Sequence, residues 1–470
     1  MSVKTKPRFK QESQEALADP QLQRALGNIR EGFVKKRAQA AENIQNFEAL
    51  RARARAVKDH TLDHLAVYLE RFEAQVLAQG GQVHWCERAE DACETIAQIC
   101  AGASAKTITK GKSMVSEEIE LNAHLEAQGF TLVETDLGEY IIQLREETPS
   151  HIVAPALHLT KESVAQDFRR HHSALPAERS LDQGEALVAE ARKMLREHFL
   201  SADVGITGAN MLVAETGQTL IVTNEGNGDL TQVLPRTHIV LASIEKVVPS
   251  PEDALAILRV LGRSATGQSM SAYTTWSAGP RQSEDADGPE HFHVVLLDGG
   301  RSDLLASPAR AMLRCIRCGA CMNHCPVYSA IGGHAYGSTY MGPMGAVLSP
   351  GLFGIDAHYD LPQASSFCGR CAEVCPVQIP LPDLMRHFRE AAFEKRLDPK
   401  LARWALALWA FLAKQPWLYR LSSRIGAACL RVPLLRRLPL ARSWTRHRSL
   451  PLPEGGTFMA QAARSNRFPS

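Results

Sequence analysis

Seven of the 11 cysteines lie between positions 315 and 375, in two runs. Cys315, Cys318, Cys321 and Cys325 follow the spacing C-x2-C-x2-C-x3-C, closed by Pro326. That is the ferredoxin pattern for a [4Fe–4S] cluster. Three thiolates at three-residue intervals can wrap one cube if the chain turns tightly, and the fourth then points to a second cluster. Gly319 permits a close backbone approach there. The second run is Cys368, Cys371, Cys375 and Pro376. Aligning the two Cys-Pro endings puts Ser365 where the leading cysteine would stand.

In two-cluster ferredoxins the last cysteine of each run serves the other cluster. That rule assigns Cys315, Cys318, Cys321 and Cys375 to the first cluster, a full set of four. The second receives Cys325, Cys368 and Cys371. It is either [4Fe–4S], with Ser365, water or a partner group on the fourth iron, or [3Fe–4S]. Zinc also takes four thiolates in paired C-x2-C units, but the two Cys-Pro endings fit iron–sulfur better. Cys86, Cys93, Cys100 and Cys429 are isolated and read as core or incidental cysteines.

The composition permits such a protein. Of 470 residues, 45% are hydrophobic and 22% charged, which excludes a disordered chain, a fibre and a polytopic membrane protein. Lys plus Arg total 53 and Asp plus Glu total 51, so the formal charge is +2. The first residues, MSVKTKPRFK, do not resemble a secretory signal. Thiols are then expected to stay reduced in a cytoplasmic setting, without disulfides.

Four segments are expected to position this chemistry. Residues 1–75 read as helical: Asp19-Pro20 is a helix start, and Leu22, Leu26, Ile29 and Phe33 form one apolar stripe. Leu62, Leu65 and Leu69 repeat it, and the expected role is packing or subunit contact. Residues 76–300 alternate apolar runs with helical stretches, which indicates an α/β domain with a mainly parallel sheet. The expected strands are Gln82–Trp85, Lys106–Thr109, Thr131–Glu134, His151–Ala154, Val204–Ile206, Thr219–Val222, His238–Leu241 and His293–Leu297. Helices are expected over Cys86–Cys100 and Ser113–Gln128, and an exposed loop over Ser277–Glu290. Residues 301–385 form the iron–sulfur segment, opened by a helix at Ser307-Pro308. Its Gly- and Met-rich stretch His334–Ser349 is expected to cover the clusters. Residues 386–470 form a basic helical tail.

This order of parts resembles the lactate utilisation protein B family, the iron–sulfur subunit of a bacterial L-lactate utilisation system. The resemblance spans nearly the whole chain. Besides the cysteines it rests on Lys110-Gly111-Lys112-Ser113-Met114, Glu117-Glu118-Ile119 and Glu134-Thr135-Asp136-Leu137-Gly138-Glu139. It rests further on Pro149-Ser150-His151-Ile152, Gly208-Ala209-Asn210, Glu215-Thr216-Gly217 and Thr223-Asn224-Glu225-Gly226-Asn227. The family has three cysteines in the second run, so Ser365 is no departure.

The resemblance implies a lactate utilisation domain related in fold to the sugar-phosphate isomerase and CoA-transferase group, then a helical, ferredoxin-like two-cluster domain. It implies two partner subunits: a cysteine-rich, heterodisulfide-reductase-like protein and a smaller lactate utilisation domain protein. Together they oxidise L-lactate to pyruvate and permit growth on it. No flavin or nicotinamide motif is visible, so this chain is expected to act mainly in electron transfer within an oxidoreductase complex. A protein that binds a partner or nucleic acid, with structural clusters, is the competing reading.

Other residues invite weaker readings. The loop Thr223–Gly228 follows a strand and could offer amides to a carboxylate or phosphate, or be a plain tight turn. Lys110, Lys112, Glu215 and Glu225 are candidates for anion binding or acid–base work, against solvated loop charges. His151 and His158 read as core histidines. In the tail, positions 386–448 carry fifteen Lys or Arg against three Asp or Glu, a charge of +12. The apolar stretch Trp404–Ala413 is too short to span a bilayer. It fits an interfacial helix on an anionic membrane and equally an acidic partner; nucleic acid is not expected.

Overall fold

The computed structural model describes residues 9–432 apart from Ala177, with 452–454 and 456–464. Arg436, Arg437, Arg442, Arg446 and Arg448 of the basic tail lie outside the described residues. The chain divides into two compact units, Met1–Ala391 and Ala392–Ser470. The helical, α/β and cysteine-bearing segments all fall within the first.

Among the described residues ten strands occur in chain order: β1 (Gln82–Cys86), β2 (Thr107–Lys110), β3 (Thr131–Glu134), β4 (Val204–Gly208), β5 (Met211–Val213), β6 (Gln218–Thr223), β7 (Thr237–Ser243), β8 (Val247–Val248), β9 (Tyr273–Ser277) and β10 (His291–Leu297). Six build one sheet in the order β1-β10-β7-β4-β2-β3. Every pairing in it is parallel. A smaller sheet runs β8-β5-β6-β9.

The apolar runs form strands because both faces of the large sheet are buried. Along β7, Ile239 and Leu241 enter one core with Ile96, Ile108 and Ile206. Val240 and Ala242, between them, enter the other with Phe72 and Leu296. The helix Ala89–Gly102 covers the first face with Ala92, Cys93, Ile96 and Cys100. The helix Leu65–Ala78 covers the second with Leu65, Leu69, Phe72 and Val76, spaced four, three and four. Cys86 belongs to the first core as well, whereas Cys429 is exposed. Each such buried side chain contributes about 1.5–3 kcal/mol.

Several expectations need correction. His151–Ala154 is a bend, not a strand. His151 Nδ1 accepts from the amides of Val153 and Ala154, both at 3.0 Å, and this folds the apolar run back on itself. Ser113–Gln128 is two helices, Met114–Glu118 and Leu121–Ala127, broken at the left-handed Glu120. Ser307-Pro308 leads into the 3-10 helix Arg310–Arg314. The apolar stripe from Leu22 starts as expected, with Asp19 Oδ1 capping the amides of Gln21 and Leu22 at 2.8 and 3.1 Å. A π-helical turn, Arg30–Val34, then interrupts it. Phe33 leaves the stripe and stacks on His151, with centroids 5.5 Å apart.

In the second unit, helices Lys400–Lys414 and Pro416–Arg431 leave Trp404, Trp409, Phe411 and Trp417 exposed. Among the described residues no helix is long and apolar enough to cross a membrane.

Candidate metal centre

The two cysteine runs repeat each other in backbone as well as in sequence. Gly319 caps the short helix Ala320–Asn323 at φ +75°, and Gly369 caps Arg370–Glu373 at φ +81°. Arg317 and Phe367, each just before the second cysteine position, are also left-handed at +58° and +55°. For a side chain other than glycine this conformation costs about 1–2 kcal/mol. It curls each loop tightly enough to gather its cysteines.

Cys315, Cys318, Cys321 and Cys375 line one small cavity. Its other walls are apolar and include Ile152, Met312, Ile316, Met344 and Ile379. Met344 comes from the helix Gly342–Phe353, whose first nine residues are buried. Burial pushes the Cys375 thiol up to about 11 and drives Cys318 and Cys321 higher. Such thiols ionise only when a metal centre supplies positive charge. The Ile379 amide donates to Cys375 Sγ at 3.3 Å. Among the described residues no three His, Cys, Asp or Glu side chains gather as ligands of a single metal ion. The four cysteines line one cavity, as the ligands of a cluster would.

Cys325, Cys368 and Cys371 are electrostatic neighbours of one another. Cys325 and Cys371 are buried and Cys368 is exposed. Burial raises Cys325 and pushes Cys371 up to about 12. Ser365 Oγ accepts the Phe367 amide at 3.1 Å, so the hydroxyl organises the turn.

Arginines that sequence reasoning passed over fix these loops. Arg51 donates to the Cys375 carbonyl from Nε and Nη2, at 3.1 and 2.7 Å, and to Glu373 O at 2.7 Å. Arg37 Nη2 donates to Val374 O at 2.9 Å. Arg301 binds Glu118 through Nη2 at 2.6 Å and Glu245 through Nε at 2.9 Å. Arg317 Nη2 reaches the same Glu245 at 3.3 Å, and its guanidinium lies 4.9 Å from the Tyr340 ring centre. Arg301, Arg317 and Lys246 hold the buried Glu245 carboxyl down at about 2, against the opposing effect of burial. These contacts link residues far apart in sequence, and no local spacing announces them.

A second cavity, of about 320 Å³, opens beyond the carboxyl ends of β2, β3, β4 and β7. Open parallel sheets bind ligands at this edge. Lys112, Asp136, Glu225, Lys246 and Arg317 line it, with much of the Thr223–Gly228 loop. Ile152 and Cys318 line both cavities, so the two share a wall. Lys112 Nζ is buried without a hydrogen bond, 3.9 Å from Glu139 Oε1. Burial pushes Lys246 down to about 8, and Arg317 adds to that.

Not every candidate belongs there. Lys110 is fully buried and paired with Glu134 at 2.7 Å and Glu117 at 3.3 Å. Glu215 is exposed, away from the cavity. His151 Nε2 donates to Asn323 Oδ1 at 2.8 Å, and burial holds the ring down at about 4. His158 bonds Ser150 Oγ at 2.7 Å and Glu147 at 2.9 Å. Both histidines are structural.

A doubly covered parallel sheet with a paired-run cysteine segment along its carboxyl edge defines an α/β iron–sulfur protein. The LUD domain family matches residues 69–297, and the 4Fe-4S dicluster domain family matches residues 311–379. Lactate utilization protein B of Bacillus velezensis is 42% identical over 461 residues, 96% of this chain and 95% of that one. An uncharacterized electron transport protein of Escherichia coli, YkgF, is 40% identical over 466 residues, 97% of each chain. A solved structure of a duf162 family protein from Deinococcus radiodurans matches with a TM-score of 0.29 and 14% identity, covering 50% of this chain and 98% of that one. The chain belongs to the lactate utilization protein B family.

Proposed function

We propose that this chain is the electron-transfer subunit of a complex that oxidises L-lactate to pyruvate and supports growth on L-lactate. The observation that carries the reading is the cavity lined by Cys315, Cys318, Cys321 and Cys375. These four hold a [4Fe–4S] cluster, and Cys325, Cys368 and Cys371 hold a second, either [4Fe–4S] with its fourth iron held from outside the cysteine set or [3Fe–4S]. Iron–sulfur clusters accept and release one electron at a time. The chain's own residues fix the cysteine loops, bury Cys318 and Cys375 at the first centre and leave Cys368 of the second exposed. Two further lactate utilisation subunits complete the complex, one rich in cysteine and heterodisulfide-reductase-like, one a smaller lactate utilisation domain protein. The setting is the cytoplasm, where thiols stay reduced.

Anaerobic purification with the partner subunits tests this reading. The expected protein is brown, carries about seven or eight iron atoms per chain, and bleaches when L-lactate is added to the complex. A colourless zinc protein, or clusters that cannot be reduced and reoxidised, would overturn the reading in favour of a binding protein with structural metal.

A further inference from the structure

The geometry points to the cavity beyond the sheet's carboxyl edge as a binding site for a small monocarboxylate of the 2-hydroxy or 2-oxo acid class, seated against the wall of the first cluster. This deepens the proposed function and rests on it.

Three observations carry the assignment. The first is two buried donor atoms without a hydrogen-bond partner. Lys112 Nζ and Arg317 Nη1 make no hydrogen bond. Each unsatisfied buried donor of this kind costs about 1–3 kcal/mol, more when charged, until an acceptor arrives. Arg317 is itself more than nine-tenths buried, and both residues line the cavity.

The second is the charge of the wall. Lys112, Lys246 and Arg317 face Asp136 and Glu225 across the same space. Glu139 already pairs with Lys112 and Glu245 with Arg317, so the cations are partly offset and a monoanion suits the site better than a multiply charged ligand. A phosphate dianion would meet the two acids at a disadvantage. The mixed lining also suits a bifunctional ligand. Its carboxylate pairs with the cations, and its hydroxyl or oxo group lies toward the acids.

The third is position and size. The cavity shares Ile152 and Cys318 with the four-cysteine cavity. A ligand there sits one side chain from the first centre. The volume of about 320 Å³ is at the lower end of small-molecule sites.

The test uses the full chain, purified anaerobically with its clusters, in titration calorimetry against L-lactate, pyruvate and inorganic phosphate. L-lactate or pyruvate should bind one to one, and phosphate more weakly. Lys246→Met and Lys112→Met should each weaken binding by about tenfold or more, the loss of one charge-assisted hydrogen bond. Lys246→Arg should restore most of it. Glu225→Gln removes no cation, and should weaken L-lactate more than pyruvate. Ligand should also shift the electron paramagnetic resonance signal of the reduced first cluster, because Cys318 is in the shared wall.

Tight phosphate binding, no heat from either acid at millimolar concentration, or affinities unchanged in the lysine variants would overturn the assignment. Dithionite reduction of the same samples separates the two ideas. Clusters that stay inert while acids bind defeat the relay alone, and reducible clusters without acid binding defeat the cavity alone.

Discussion

The two cysteine loops share a spacing and a backbone, yet they meet different surroundings. Around Gly319 the first loop is pressed on the bend His151–Ala154: a Cβ there would lie 3.3 Å from Val153 and 3.6 Å from His151. Around Gly369 a Cβ would meet nothing within 4 Å. Arg317 in the first loop packs on Tyr340 and pairs with Glu245. Its counterpart Phe367 instead lies beneath Arg389, 4.1 Å from ring centre to guanidinium. Cys318 is buried and Cys368 exposed. The same local fold has been turned inward once and outward once. The proposed relay would use both ends: one centre beside the place where electrons enter, one where they leave.

The strongest way to break that comparison is to remove the inward centre. Cys318→Ala should roughly halve the iron content and abolish growth on L-lactate in a host that depends on this system. Wild-type growth with that change would end the relay reading. Next comes the support of the outward loop. Arg51→Met removes two buried hydrogen bonds to the Cys375 carbonyl and a partly buried one to that of Glu373. A loss of about 2–3 kcal/mol is expected, read as a lower urea midpoint for bleaching of the clusters. An unchanged midpoint would show that the carbonyls are held without it.

The paired glycines give a finer measure. Gly369→Ala meets only the left-handed backbone penalty of about 1–2 kcal/mol. Gly319→Ala should lose about 1 kcal/mol more, because its new methyl group crowds Val153 and His151. Equal losses in the two denaturation curves would mean that the first loop is not sealed as described. The smallest effect is expected from Ser365→Cys. A fourth thiolate at the outward centre should slow iron loss in air while leaving the inward centre's signal unchanged. Faster bleaching would argue against Ser365 as the counterpart of Cys315.

The large sheet was legible because each central strand is an apolar run of five to seven residues with both faces covered. Strands β5, β8 and β9 were not. Two or three residues in β8 and β5 give no periodicity to read. β9 is only half-buried, and Ser277, which marks the start of the expected loop, is its last residue. His151–Ala154 misled for the opposite reason: it is apolar enough for a strand, but a histidine nitrogen captures the amides that a strand would offer to a neighbour. In the site, Cys315 to Cys375 could be read from spacing alone. Lys112 and Glu225 were found as polar groups beside strand ends. Lys246 and Arg317 were not, because each is defined by burial against residues distant in sequence. Lys110, next to Lys112, turned out to be neutralised in the core by Glu134 and Glu117.

Cys375, from the second run, stands in the wall of the cavity built by the first. Cys325, from the first, stands with Cys368 and Cys371. The fifty-residue repeat therefore cannot be cut into two working halves. Each half completes the other, and the chain from Pro326 to Phe367 is closed into a ring at both ends once iron is in place. Loading of the first centre should then wait on the whole segment: it cannot be finished until the last residue of the second run has folded back to meet it.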